Sequence, residues 1–241
     1  MTLKVHSRWT AFAIHLALSI LILSGLLVVI FFIWFPRDLI FAGGIAGLKI
    51  LTAVDLILGP LLTLIVYKQG KPELFRDLCI IGMLQVSSLL AGLWLIYQER
   101  PLAQVLADDG IHLLTASDFK EFGMSPPSAP KFADKTPKFI LLDLPQDRDE
   151  LGTIKFTTEF VDEKPFVFRD DLYLPMASQE KQTFDSRVTF IQELIDNEAK
   201  MKLAKFDLTS CDWLPLVSQH NHGYACVNFE KGIIRLSERE L

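Results

Sequence analysis

Residues 9–35 read WTAFAIHLALSILILSGLLVVIFFIWF: 27 residues without a charge, whose clearly polar members are Thr10, His15, Ser19 and Ser24. A helix needs roughly 20 apolar residues to cross a bilayer, so this run spans with tilt, and Pro36-Arg37-Asp38 end it. Lys4, His6 and Arg8 ahead of it resemble the start of a signal peptide. The apolar run is about twice the length of a signal core and no Ala-x-Ala site follows, so we read an uncleaved anchor.

Two further stretches lie downstream. Leu39–Tyr67 holds two charges, Lys49 and Asp55, with Gly43, Gly44 and Gly47 in its first third. Residues 39–47 are expected to be interfacial or re-entrant and 48–67 to span. Leu78–Tyr97 is uncharged, contains Cys79, Gln85, Ser87 and Ser88, and is closed by Pro101. The expected organisation is a transmembrane region over 1–100, with helices at about 9–35, 48–67 and 78–97, and a water-compatible domain over 101–241. Charge divides the chain at the same place. The first 100 residues carry 8 Lys/Arg against 5 Asp/Glu, and the remainder carry 16 against 24. Half of all residues are hydrophobic and the mean hydropathy is +0.31. An acidic soluble half lacks the basic footprint of a nucleic-acid binder.

Basic residues in short loops set orientation. Lys4 and Arg8 precede the first helix, and Lys68, Lys71 and Arg76 lie between the second and third, whereas Arg37 in the first loop is offset by Asp38. The N-terminus and the 68–77 loop are therefore expected in the cytoplasm of a bacterial cell, with the chain in its inner membrane and 101–241 in the periplasm. Cys211 and Cys226 both fall in that exported domain. A pair in an oxidising compartment reads as a disulfide, worth about 3 kcal/mol for a loop of this length in the chain-entropy model. A redox site is the alternative, without a Cys-x-x-Cys to support it. Cys79, alone in an apolar helix, reads as a small packing residue.

The exported domain reads as mixed α+β with antiparallel hairpins and one long helix. Leu102–Ala107 and Ile111–Thr115 flank Asp108-Asp109-Gly110, a hairpin signal. Ser117 is expected to cap a helix over 118–122 stopped by Gly123. Four prolines mark 125–137 as a loop, and Phe139–Leu144 is a core strand. Residues 149–161 are ambiguous, and 165–174 read as a strand pair or extended arm. Gln179–Lys205 carries Phe184, Val188, Ile191, Leu194 and Ile195 on one stripe, as a helix would. Trp213–Ser218, Tyr224–Phe229 and Ile233–Leu236 form a terminal meander, turning at 220–223 and 231–232.

Polar residues inside the spans are the candidates for chemistry. An aspartate there costs at least ~2.5 kcal/mol on insertion scales and ordinarily has a use. At about 1.5 Å per residue, Asp55 lies roughly 20 Å above the cytoplasmic boundary, near the depths of Ser88, Gly92 and Ser24. Leu51, Asp55, Gly59 and Thr63 share one helix face, and Gly82, Gln85, Ser88 and Gly92 another. Such small and polar faces suit close packing in membranes. Three readings follow: glue between the chain's own helices, contact with a partner helix, or a proton or ion path. Gly59-Pro60 is expected to kink the second helix, either as a plain kink or as a notch for another helix. His220-Asn221-His222 lacks a third ligand at motif spacing, so no metal is expected. No phosphate loop, nucleophile elbow or triad is found, so neither a catalytic residue nor a cofactor is expected. Acidic runs such as Asp147–Glu150 read as solvated surface.

Val54–Tyr67 reads VDLILGPLLTLIVY. Lying between two further membrane helices and ahead of a soluble domain, and carrying Asp-x-x-x-Gly-Pro-Leu-Leu-Thr at Asp55–Thr63, it resembles the bacterial type IV pilin accessory proteins of the TfpX/TfpZ (FimB-like) family. Arg100-Pro101 followed by a hairpin at Asp108-Asp109 resembles the start of that family's periplasmic domain. The resemblance implies a non-enzymatic, chaperone-like inner-membrane protein supporting the stability or assembly of a type IV pilin major subunit. A pilin awaiting assembly is one hydrophobic helix with a periplasmic head, so Asp55, Gly59, Pro60, Thr63, Gln85 and Ser88 would form the helix-binding face. A homo-oligomer stays open. Other classes are a membrane sensor or transport subunit using Asp55, and a periplasmic thiol oxidoreductase using Cys211 and Cys226.

Overall fold

The computed structural model of the chain describes residues 7–128, 132, 136–145, 147–195, 211–219 and 222–237. Two compact units result: Met1–Pro36 with Gly44–Gln98, and Arg37–Gly43 with Glu99–Leu241. Among the described residues three helices are long and apolar enough to cross a membrane, Arg8–Trp34, Gly44–Val66 and Leu74–Gln98.

In the first unit, α1 (Arg8–Val29) starts at Ser7, whose hydroxyl accepts the Thr10 N–H at 3.2 Å, as an N-cap does. It continues as a π turn over Ile30–Trp34. The second span is α2 (Gly44–Ala53), a π turn over Val54–Leu58 and α3 (Gly59–Val66). Pro60 has no N–H and its ring crowds the carbonyl four residues back. The widened turn, in which Gly59 donates its N–H to the Val54 carbonyl, takes up that crowding. Where the sequence suggests a kink, the chain thus has a π turn, and Asp55 sits inside it. The third span is α4 (Leu74–Gln98), and α1 packs along α3 while α2 packs along α4. Leu21, Phe32, Ile65 and Leu95 point outward, the all-round apolar character of a helix in lipid.

The second unit is built on a sheet in the order β4-β3-β1-β2-β5-β6-β7. Its strands are β1 (Pro101–Leu106), β2 (Ile111–Thr115), β3 (Lys138–Leu142), β4 (Tyr173–Pro175), β5 (Asp212–Val217), β6 (His222–Asn228) and β7 (Gly232–Leu236). The β1–β2 hairpin and the β5–β6–β7 meander are antiparallel, as expected. The β1–β3 and β2–β5 pairings are parallel, which the hairpin signals do not anticipate. At the β2–β5 junction a Cβ on Gly110 would lie 2.4 Å from the Pro215 carbonyl, so this close approach requires glycine.

One face of the sheet buries Val105, Ile140 and Leu142 under Phe119, Phe166 and Phe168. Phe119 belongs to α5 (Ala116–Glu121), which is capped by Thr115 in a capping box with Asp118 rather than by Ser117. Thr115 ends β2 one residue before the helix, so its hydroxyl is the one in reach of the Asp118 N–H. On the other face Phe139 meets Phe184 of α7 (Lys181–Leu194), with ring centroids 6.4 Å apart. The long helix expected over 179–205 therefore ends at Leu194. Ile195 is extended and buried in a cluster with Trp213 and Cys226, which draws the chain off the helix axis; residues 196–210 lie outside the described residues. The ambiguous 149–161 stretch is α6 (Arg148–Phe156) followed by a π turn over Thr157–Val161. Residues 166–172 are two 3-10 turns rather than a strand pair.

The interfacial segment expected over 39–47 divides instead. Arg37–Ala42 is a 3-10 helix packed on β7, and the second span already begins at Gly44. Arg37, at φ +60°, donates Nη1 to the Ile233 carbonyl at 3.0 Å and the Lys231 carbonyl at 2.5 Å. These bonds engage carbonyls just before and at the start of β7.

Candidate functional site

The polar residues of the spans converge. Asp55 is 4% exposed, Thr63 3% and Ser19 2%. The Gln85 amide, from α4, reaches into the π turn: its Nε2 donates to Asp55 Oδ1 at 2.5 Å and Ser19 Oγ at 3.0 Å, with a longer 3.3 Å contact to the Asp55 carbonyl. Its Oε1 meets His15 Nε2 at 2.6 Å, and His15 Nδ1 meets Thr63 Oγ1 at 2.6 Å. The Thr63 hydroxyl donates to the Gly59 carbonyl at 3.2 Å.

With Gln85 Nε2 turned toward Asp55 and Ser19, Gln85 Oε1 is left as the acceptor that meets His15 Nε2. Asp55 Oδ2 is buried without a hydrogen-bond partner.

Of the six residues in the expected helix-binding face, Asp55, Gly59, Thr63 and Gln85 are brought into this cluster. A Cβ on Gly59 would lie 2.6 Å from Gln85 Oε1, so the glycine is the space the amide occupies. Pro60 is buried beside it. Ser88 is half-buried and lines a second hollow with Leu51, Val54 and Gly92, which Asp55 and Gln85 also line. The glycine notch is therefore filled by the chain's own helices. Ser24, placed by depth near Asp55, is exposed and donates to its own Ile20 carbonyl. His15 and Ser19 contribute instead. Their signal is the four-residue spacing that puts both on one face of the first helix. A hollow of about 430 Å³ adjoins the cluster, lined by Asp55, His15, Ser19 and Gln85 and otherwise mainly apolar, with Leu18, Gly82 and Val86 among its walls.

In the second unit Cys211 and Cys226 form a disulfide and Cys79 is free. Cys226 is buried against Trp213 and Ile195. Among the described residues no group of three or more His, Cys, Asp or Glu side chains gathers to hold a metal; His220, Asn221 and the His222 side chain lie outside them. Burial pushes the Asp109 carboxyl up, but a 2.7 Å hydrogen bond to His112 and the charge of that ring outweigh it and hold Asp109 below its ordinary value. Burial, then Asp185, holds Asp212 above its own. Phe156 and Phe160 stack at 5.0 Å and both are exposed, as is Val161.

Three apolar spans with a polar centre, joined to a disulfide-linked α+β domain, are those of a membrane protein with one globular domain. Three curated relatives from Dichelobacter nodosus match it, each 32% identical over 108 residues, 44% of this chain. The match covers 82% of the fimbrial assembly protein of serogroups C1 and C2. It spans only 42% of the fimbrial assembly proteins of serogroups E1 and I. The chain belongs to the family of these fimbrial assembly proteins. No family model matches the chain, and no solved structure matches it significantly.

Proposed function

We propose that this protein is a non-enzymatic accessory factor of the bacterial inner membrane that engages a type IV pilin and supports its stability or assembly into pili. The observation carrying this reading is the relationship to fimbrial assembly proteins, one of them matched over most of its length. The architecture suits the role. A pilin in the membrane offers one apolar helix and one soluble head. This chain offers an intramembrane hollow with a polar floor and a globular domain with an exposed aromatic patch. The N-terminus and the 68–77 loop lie in the cytoplasm and the α+β domain in the periplasm, by the distribution of Lys and Arg. The Cys211–Cys226 bridge then acts structurally, in an oxidising compartment.

The test is deletion of the gene followed by measurement of pilin abundance and surface piliation, with co-purification of pilin on the tagged full-length protein. Pili and pilin should both fall and be restored by the wild-type chain. Unchanged piliation with no co-purifying pilin would overturn the reading. A reporter active only in the periplasm should work when fused after Leu241 and fail in the 68–76 loop; the reverse would overturn the orientation.

A further inference from the structure

We propose that the outward face of α6 and of the π turn after it is a docking surface for a basic, partly apolar patch on a partner protein, with Phe156, Phe160 and Val161 at its centre and Glu159, Asp162 and Glu163 at its rim. In the accessory reading, on which this rests, that partner is the soluble head of the pilin.

A surface helix of a globular domain ordinarily has one apolar face, turned to the core. This one has two. Leu151 and Ile154 pack against the cluster around Phe119 and Phe166, and Thr158 follows them, buried. The Thr158 hydroxyl donates to the Ile154 carbonyl at 2.8 Å and accepts Arg169 Nη1 at 3.1 Å, so the turn is fastened from behind. Phe156, Phe160 and Val161 are 61%, 71% and 66% exposed, and the two rings stack at 5.0 Å. An exposed apolar patch rimmed by polar groups marks an interaction site.

The charges decide what covers it. Lys155, on the same helix, is taken up by Asp108 at 2.5 Å, and Arg169 by Asp171 at 2.7 Å. Glu159, Asp162 and Glu163 are exposed, and among the described residues none of them is in an ion pair. A bilayer surface is a poor fit. Helices that sink aromatic side chains into lipid carry Lys and Arg on their polar flank to meet anionic headgroups, and this flank is acidic. A second copy of the chain fits no better. A two-fold contact sets the same patch against itself, and so would oppose the acidic rim to its own copy, in a domain where residues 101–241 carry 16 Lys/Arg against 24 Asp/Glu. A protein surface with an apolar centre for the two rings and Lys or Arg around it meets both demands. Complementary charge of this kind steers encounter and fixes register.

The experiment uses the full-length protein in native membranes, with a photoreactive phenylalanine analogue in place of Phe160 or of Gln182, which is exposed on α7. The probe at Phe160 should crosslink to pilin and the probe at Gln182 should not. Phe156→Ser should lower the Phe160 product about tenfold, as loss of an aromatic anchor does. Glu159→Lys with Asp162→Lys should lower it as far at an unchanged level of the protein, since both side chains are exposed, and the wild-type product should fall as salt is raised. Crosslinks from Phe160 to lipid alone, to a second copy of the chain or to a protein other than pilin would overturn the proposal, as would a pilin product indifferent to the charge reversal and to salt. If no pilin is captured from Phe160 while pilin still co-purifies on the tagged chain, this surface is overturned and the accessory reading stands. If pilin neither crosslinks nor co-purifies, both fall.

Discussion

In each unit a glycine makes room for a glutamine. In the spans the Gln85 amide occupies the place of a Gly59 side chain and ties three helices together. In the sheet, Gln104 on β1 is 2% exposed and its Oε1 accepts the Ile233 N–H at 2.8 Å, 129 residues further along the chain. A Cβ on Gly232 would lie 2.2 Å from that oxygen. Since β1 and β7 are not neighbours in the sheet, this bond marks how far the sheet curls. The two devices differ in how completely they close. Gln104 accepts the N–H of a strand through Oε1. Gln85 wires His15, Ser19 and Thr63 around Asp55 but leaves Oδ2 without a donor.

The largest expected effect comes from the covalent staple, which the helical unit lacks. Cys211→Ser with Cys226→Ser removes the link between the β5–β6 hairpin strands and should destabilise the globular domain by about 3 kcal/mol. Denaturant unfolding of the full chain in detergent, followed by near-ultraviolet circular dichroism, should show the aromatic core melting early while far-ultraviolet helicity persists. If both units lose stability together, they are not separate in the energetic sense. In wild type, Cys79 should be the one thiol to react after non-reducing denaturation.

Next comes Gly232→Ala, at about 2 kcal/mol. Gly232 sits at φ +67°, where an L residue is strained, and the added methyl drives the Gln104 amide from the Ile233 N–H. Strain and an orphaned buried donor each contribute. Gly59→Ala should cost less, roughly 1 kcal/mol, because its backbone is ordinary helix and the neighbour that must yield is a flexible amide. The comparison can be broken here. If Gln85→Ala in the Gly59→Ala background restores stability but not piliation, the helical glutamine serves function beyond packing. If Gln104→Ala fails to restore Gly232→Ala, the sheet glutamine is needed for the strand bond itself.

How much of this was legible differs between the units for the same reason. A charge inside an apolar run stands out, so Asp55 and its face were readable, as were three spans and the cysteine pair. Partners supplied from elsewhere in the chain were not. His15 and Ser19 are unremarkable until the first helix is set against the third, and counting depth favours Ser24, whose hydroxyl donates to the Ile20 carbonyl one turn back on the same helix. Gln104 lies in a strand of apolar residues, where its inward face follows only from the curl of the sheet. The parallel β1–β3 and β2–β5 pairings are non-local, and hairpin signals report only neighbours. Ile195 fits the apolar stripe of α7 as well as it fits the cluster beyond it, so periodicity alone ran the helix too far.

The smallest effects concern two aspartates of the globular domain that should answer acid in opposite senses. Asp109 is held below its ordinary value by His112, so it is stabilising above 3.8 and that contribution is lost as pH falls through the folded value. Asp212 is held above its ordinary value by burial and by Asp185, so the folded state favours its protonated form. Its contribution is fully present below 3.8 and disappears as pH rises through the raised value. At pH 7, Asp109→Asn should therefore destabilise and Asp212→Asn should stabilise, each within about 0.5 kcal/mol for partly exposed positions. Because an asparagine does not titrate, the Asp212→Asn gain should shrink toward zero as the unfolding midpoint is followed down to acid pH. The Asp109→Asn loss should shrink as well, but over a lower range, since its folded value is the depressed one. A gain from Asp212→Asn that stays constant down to acid pH would mean that the charge of Asp212 is not what the folded domain resists.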